Sequence, residues 1–176
     1  MRTALSIAGV AIFVLTAPGT ALAQGSGAEA RLKQLNITLP ADQAPAANFV
    51  NSVQAGKLLF LSGNTPGGQW PLKGKVGKDL TIEQGYDSAR QTGLIMLGKI
   101  RTALGSLDRV KRIVKVLGMV NSADGFSDQP KVVNGFSDLM VEVFGEAVGK
   151  HARSAVGMAG LPGNAPIEVE MIVEVE

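Results

Sequence analysis

An arginine stands at the head of an apolar segment in His151-Ala152-Arg153-Ser154-Ala155-Val156, where a guanidinium is costly to bury without a partner. Two chemistries answer that cost. One is an ion pair with a glutamate of the C-terminal run Glu168, Glu170, Glu174 and Glu176, a bond that stabilises little at a surface. The other is a fixed fork gripping the carboxylate of a small molecule through two parallel hydrogen bonds. Next to it is the single histidine, His151. No G-x-S-x-G accompanies it to make a nucleophile and base, so it reads as a surface or packing residue. By spacing alone, Glu168 is a solvated residue of a Glu-rich strand face.

Composition excludes much else. The 176 residues contain no Cys and one His, so thiol catalysis, disulfides and Cys- or His-rich metal sites have no material. Neither G-x-x-x-x-G-K-[ST] nor G-x-G-x-x-G occurs, which removes the usual phosphate cradles. Seventeen Lys and Arg against 15 Asp and Glu leave a formal charge of only +2. The few aromatics do not alternate with basic residues. Nucleic acid is not an expected partner.

The elements that would position these groups follow in order. Arg2, the apolar run from Ala4 to Leu15 and the Ala21-Leu22-Ala23 pattern form a secretory signal peptide over residues 1–23. The run falls short of the roughly 20 apolar residues of a membrane span, which favours cleavage before Gln24, leaving no stable membrane anchor and a periplasmic or secreted protein, over the competing reading of an uncleaved N-terminal anchor. Residues 24–43 read as an N-terminal tether containing a helix-capable stretch, Ala28 to Gln34. The domain itself is placed at 44–176. Asn48 to Val53 and Lys57 to Ser62 form a hairpin with Gly56 in its turn. A Gly- and Pro-rich loop follows from Gly63 to Lys78, with Trp70 either packing there or closing over a pocket. Thr81 and Gln84 form a capping box opening a helix that runs to Leu104 and stops at Gly105. Arg112 to Val120 is a strand with apolar residues on both faces (Ile113, Leu117 and Met119 against Val114, Val116 and Val120), which predicts burial on both sides. A second helix starts near Asp128, with Pro130 in its first turn, and ends at Gly145. Ala152 to Ala159 and Ile167 to Glu176 are the last strands; the latter alternates apolar residues with Glu. The order β-β-α-β-α-β-β predicts an α+β domain with both helices on one face of a mixed sheet.

Several short motifs resemble the Rid family, the YjgF-like reactive intermediate deaminases. They are Leu61-Ser62-Gly63-Asn64-Thr65-Pro66, Thr81-x-x-Gln84, Gly105-Ser106-Leu107-Asp108-Arg109-Val110, Met119-Val120-Asn121, Val132-Val133-Asn134, Ala152-Arg153-Ser154-x-Val156 with Leu161-Pro162, and Ile167-Glu168-Val169-Glu170. Together they span about residues 44 to 176 in order. The resemblance implies a chorismate-mutase-like fold and a homotrimer whose sheets form a barrel with clefts between subunits. It implies hydrolysis of 2-imino or enamine acids to 2-oxo acids and ammonia, with no metal and no organic cofactor. Arg153 would bind the substrate carboxylate and Glu168 would be the catalytic group that activates water. Ser62, Asn134, Phe49 and Ala155 would line the pocket. Deaminating relatives carry Tyr where this chain has Phe49, and often Cys where it has Ala155. These departures leave a second expectation open, a non-catalytic protein holding a small carboxylate in the same cleft. A ribonuclease is disfavoured by the near-neutral charge and the lone His.

Overall fold

The structure is a computed structural model that describes residues 27–176; the signal-peptide expectation therefore lies outside the described residues. Five strands form one mixed sheet in the order β1-β2-β5-β3-β4. They are β1 (Ser52–Ala55), β2 (Leu58–Asn64), β3 (Val110–Asn121), β4 (Ala152–Met158) and β5 (Ile167–Val175). Only β3 and β4 pair in parallel; the other neighbours are antiparallel. The hairpin β1–β2 turns at Gly56, whose φ of 61° costs a glycine little.

Two long helices, α2 (Ile82–Leu104) and α3 (Gln129–Phe144), cover one face of the sheet. The α2 capping box is formed in both directions, Gln84 N–H to Thr81 Oγ1 and Thr81 N–H to Gln84 Oε1, and Gly105 closes the helix in the left-handed region. The helices cross closely because Gly135 has no Cβ; one there would collide with the Tyr86 carbonyl oxygen. Between helices and sheet lie Met96, Leu97, Ile100, Phe136, Leu139 and Met140, packed on Val116, Val120 and the whole inward row of β5. Each such side chain contributes roughly 1.5–3 kcal/mol on burial.

Three expectations change. The helix-capable stretch Ala28–Gln34, expected within a tether, is helix α1 and packs against the core. Leu32 is 2% exposed, and Glu29 binds Arg101 through both carboxylate oxygens at 2.9 and 2.6 Å. Among the described residues, strand β3 is covered on one face only: Lys115, Leu117 and Met119 face the side without helices, half-buried. Ile113 does not share that face. A register irregularity between Ile113 and Lys115 turns its side chain inward, where it is fully buried. A one-turn helix, α4 (Glu146–Gly149), links α3 to β4.

Candidate functional site

Strand β4 is an edge of the sheet, so one of its sides has no neighbouring strand among the described residues. Arg153 lies opposite Val116 in register and therefore points to the helix side. Its guanidinium rests on the first turns of α3. Nη1 donates to Asn134 Oδ1 at 2.8 Å and to Ser137 Oγ at 3.0 Å, and Nη2 donates to the Pro130 carbonyl at 3.4 Å. No carboxylate pairs with it among the described residues. The ion pair with a C-terminal glutamate is thus not made. Three neutral oxygens fix the fork and leave Nε–H and one Nη2–H for a ligand, while its full charge remains uncompensated. Ala155 lies on the same strand face two residues on, partly buried against the core.

His151 closes this cluster. Its Nδ1 lies 2.7 Å from the Gly149 carbonyl, its Nε2 3.1 Å from Ser137 Oγ. Its ring meets Phe136 edge-on. Burial pushes the imidazole below its ordinary range; the Gly149 carbonyl acts in the opposite direction, and the Arg153 charge lowers it further.

A second cluster lies elsewhere. Glu168 stands opposite Met119. Met119 and Val116 are an odd number of residues apart on β3, so Glu168 points to the face opposite Arg153. Its carboxyl lies tight against Gly63, where a Cβ would collide with Oε1. Burial raises the carboxyl above the usual range, and Glu170, on the same face, raises it further. Glu168 and Phe49, which is 55% exposed, line a cavity of about 750 Å³ with Trp70, Gln91 and Ile95. Trp70 also packs: its indole N–H donates to Ser88 Oγ at 2.9 Å. Ser62 is not in that cavity. Its hydroxyl donates to the Val50 carbonyl at 2.6 Å, and it borders a groove of about 390 Å³ with Lys115, Ser154 and Glu170.

The structure therefore brings Arg153, Asn134 and Ala155 together, and Glu168 with Phe49, but does not join the two groups within one chain. Sequence reasoning missed Ser137. Its signal was available: it sits one helical turn after Asn134, on the same α3 face. Also missed was the ion pair between Lys99 Nζ and Asp42 Oδ1 at 3.0 Å, at the rim of the larger cavity.

Residues 29–175 match the family model described as "YjgF/chorismate mutase-like, putative endoribonuclease". The chain is 47% identical over 149 residues to Protein TCP17 of Trypanosoma cruzi, covering 82% of this chain and 92% of the relative. Among solved structures, it resembles a protein of unknown function from Agrobacterium tumefaciens, with 39% identity and a TM-score of 0.76, over 84% of this chain and 91% of that one. It also resembles a "putative endoribonuclease" from Shewanella oneidensis at 31% identity and a TM-score of 0.80, over 85% of this chain and 100% of the other.

Proposed function

Because the chain belongs to the YjgF/RidA-like family, we propose that it hydrolyses 2-imino or enamine acids, in clefts where β4 of one copy meets the helix-free sheet face of another. The observation that carries this reading is Arg153: a half-buried cation held by three neutral oxygens, with two donors left over and no carboxylate paired with it among the described residues.

The chemistry asked of the site is modest. An imine carbon is already electrophilic, so orientation and one proton-transfer group suffice. Arg153 holds the substrate carboxylate. Glu168, in its ionised form, takes a proton from water as the oxygen bonds to the imine carbon and the C=N π pair moves to nitrogen. Glu168 returns that proton to nitrogen, giving the carbinolamine; the hydroxyl proton then passes through Glu168 to the amino nitrogen, the oxygen closes to the carbonyl of a 2-oxo acid, and the C–N bond breaks to release ammonia. A carboxyl raised towards neutrality by burial is suited to both giving and taking that proton.

Assembly follows from the same split. Arg153 and Glu168 of one copy face away from each other, so a site needs two chains. Val53 and Phe60 on the hairpin, with Val156 and Met158 on β4, are exposed apolar side chains that a closed ring of copies would cover. We take that ring to be the homotrimer implied by the family, and the protein to be exported by its N-terminal segment. N-terminal mapping of cell fractions tests the export.

The deciding experiment supplies imino acids from an amino-acid oxidase and follows ammonia release with and without the purified protein. Acceleration that requires Arg153 supports the deaminase. Phe49, which brings no hydroxyl to the cavity wall, favours a second reading, a binding protein for small carboxylates; saturable binding of 2-oxo acids without any acceleration would establish it instead. For the endoribonuclease activity in the relatives' descriptions, the near-balanced charge and the lone His offer little support.

A further inference from the structure

We propose that His151 is a positioning residue for Arg153, acting through Ser137, so that protonation of the imidazole weakens the grip on a carboxylate. This rests on the reading of Arg153 as the carboxylate fork.

Hydrogen-bond polarity carries the argument. The Gly149 carbonyl only accepts, so the 2.7 Å contact places a proton on His151 Nδ1. In the neutral ring Nε2 is then an acceptor, and the Ser137 hydroxyl 3.1 Å away donates to it. Ser137 Oγ thereby turns its lone pairs to Arg153 Nη1 at 3.0 Å. Donors run in one direction, from guanidinium to hydroxyl to imidazole to backbone carbonyl. The edge-on contact with Phe136, at 6.5 Å between centroids, holds the ring in that line.

The charged surroundings of the ring are simple. From β4 it meets Arg153. From α3 it meets Ser137 and Phe136, which do not titrate near neutrality. At α4, Lys150 is already paired with Glu146 at 2.7 Å. Burial keeps the imidazole neutral below its ordinary range, an effect the Gly149 carbonyl opposes and the Arg153 charge reinforces. Protonation reverses the bond at Nε2, turning it into a donor towards Ser137. The hydroxyl must move its own proton out of the line, and a second cation now stands two hydrogen bonds from the guanidinium. Both lone pairs of Ser137 Oγ are then committed, one to each cation, and Nη1 shares an acceptor whose free lone pairs it had held alone. The donors left for the ligand include Nε–H, across the guanidinium from Nη1. Direct attraction between the imidazolium and the bound carboxylate is therefore the longer and more screened interaction.

The chain has one His, so one imidazole signal in proton NMR reports the linkage directly. Pyruvate is the probe, titrated into the full-length protein calorimetrically between about pH 5 and 8. Wild-type affinity should fall roughly three- to tenfold as pH drops through the lowered imidazole pKa. By reciprocity, saturating pyruvate should lower that pKa further. His151→Gln offers Ser137 a non-titrating amide oxygen and should bind as tightly as neutral wild type with the pH dependence gone. Ser137→Ala should bind weakly at every pH. A His151→Gln profile superimposable on wild type, or an imidazole pKa unmoved or raised by pyruvate, overturns the proposal. Pyruvate binding indifferent to Arg153→Lys overturns the fork itself, and this inference with it. Binding that needs Arg153 but ignores both His151→Gln and Ser137→Ala overturns only the inference.

Discussion

Replacing Arg153 by Lys keeps the positive charge and removes the fork. The guanidinium spans Asn134, Ser137 and the Pro130 carbonyl at 2.8, 3.0 and 3.4 Å and still presents two donors on one side. An ammonium has three donors around one nitrogen and cannot satisfy α3 while gripping a carboxylate at two points. The loss is then one charge-assisted hydrogen bond to substrate, about 1.5–3 kcal/mol, or about a 10- to 150-fold drop in kcat/KM. Because Arg153 forms no ion pair among the described residues, thermal stability should change little. The assay is ammonia release from imino acids generated by an amino-acid oxidase, with the melting temperature measured on the same preparations. An unchanged kcat/KM would refute the argument. So would an activity loss matched by a collapse of the melting temperature, because the arginine would then be holding the fold.

Glu168→Gln should cut kcat by roughly 10²- to 10⁴-fold, the usual worth of a proton-transfer group. The folded carboxyl is raised by burial and by Glu170, so its contribution to stability is full below the unfolded pKa and is lost as pH rises through the folded one. The Gln variant should therefore melt higher than wild type at pH 7, an advantage that disappears in acid; scanning calorimetry at both pH values reads it. Asp42→Ala leaves the ammonium of Lys99, 7% exposed, with only the Gln43 carbonyl at 3.4 Å, and should cost about 3–5 kcal/mol in urea unfolding, most of it recovered by adding Lys99→Met. Phe60→Asp places a charge on the helix-free face and should shift the mass seen by light scattering to that of one chain, with activity lost.

Local patterns carried the fold. The Thr81–Gln84 box, the Gly56 turn and the alternation of β5 depend on near neighbours, and each is formed as spaced. Ile113 faces inward against simple strand parity, which holds only without a register shift, and the shift between Ile113 and Lys115 depends on a partner strand more than fifty residues away. The two-sided apolar character of β3 was real, but within one chain only one side is covered. The burial of Leu32 is not legible in the sequence, because a single anchoring leucine on a seven-residue helix makes no periodicity. At the site, residue types were legible and faces were not. Arg153 and Glu168 sit in adjoining strands of the sequence, yet only their separate registers against β3 reveal that they point apart.

That opposition has a genetic signature. In the proposed ring each chain lends Arg153 to one cleft and Glu168 to another, so a chain without its arginine and a chain without its glutamate are each defective in a different half. Mixed in one assembly, they rebuild intact clefts wherever the sound halves meet, about one in four for random association in a closed ring. Unfolding and reassembling Arg153→Lys with Glu168→Gln should restore roughly a quarter of wild-type turnover from two nearly inactive parents. Were both groups to serve the same chain's site, no mixture would recover anything.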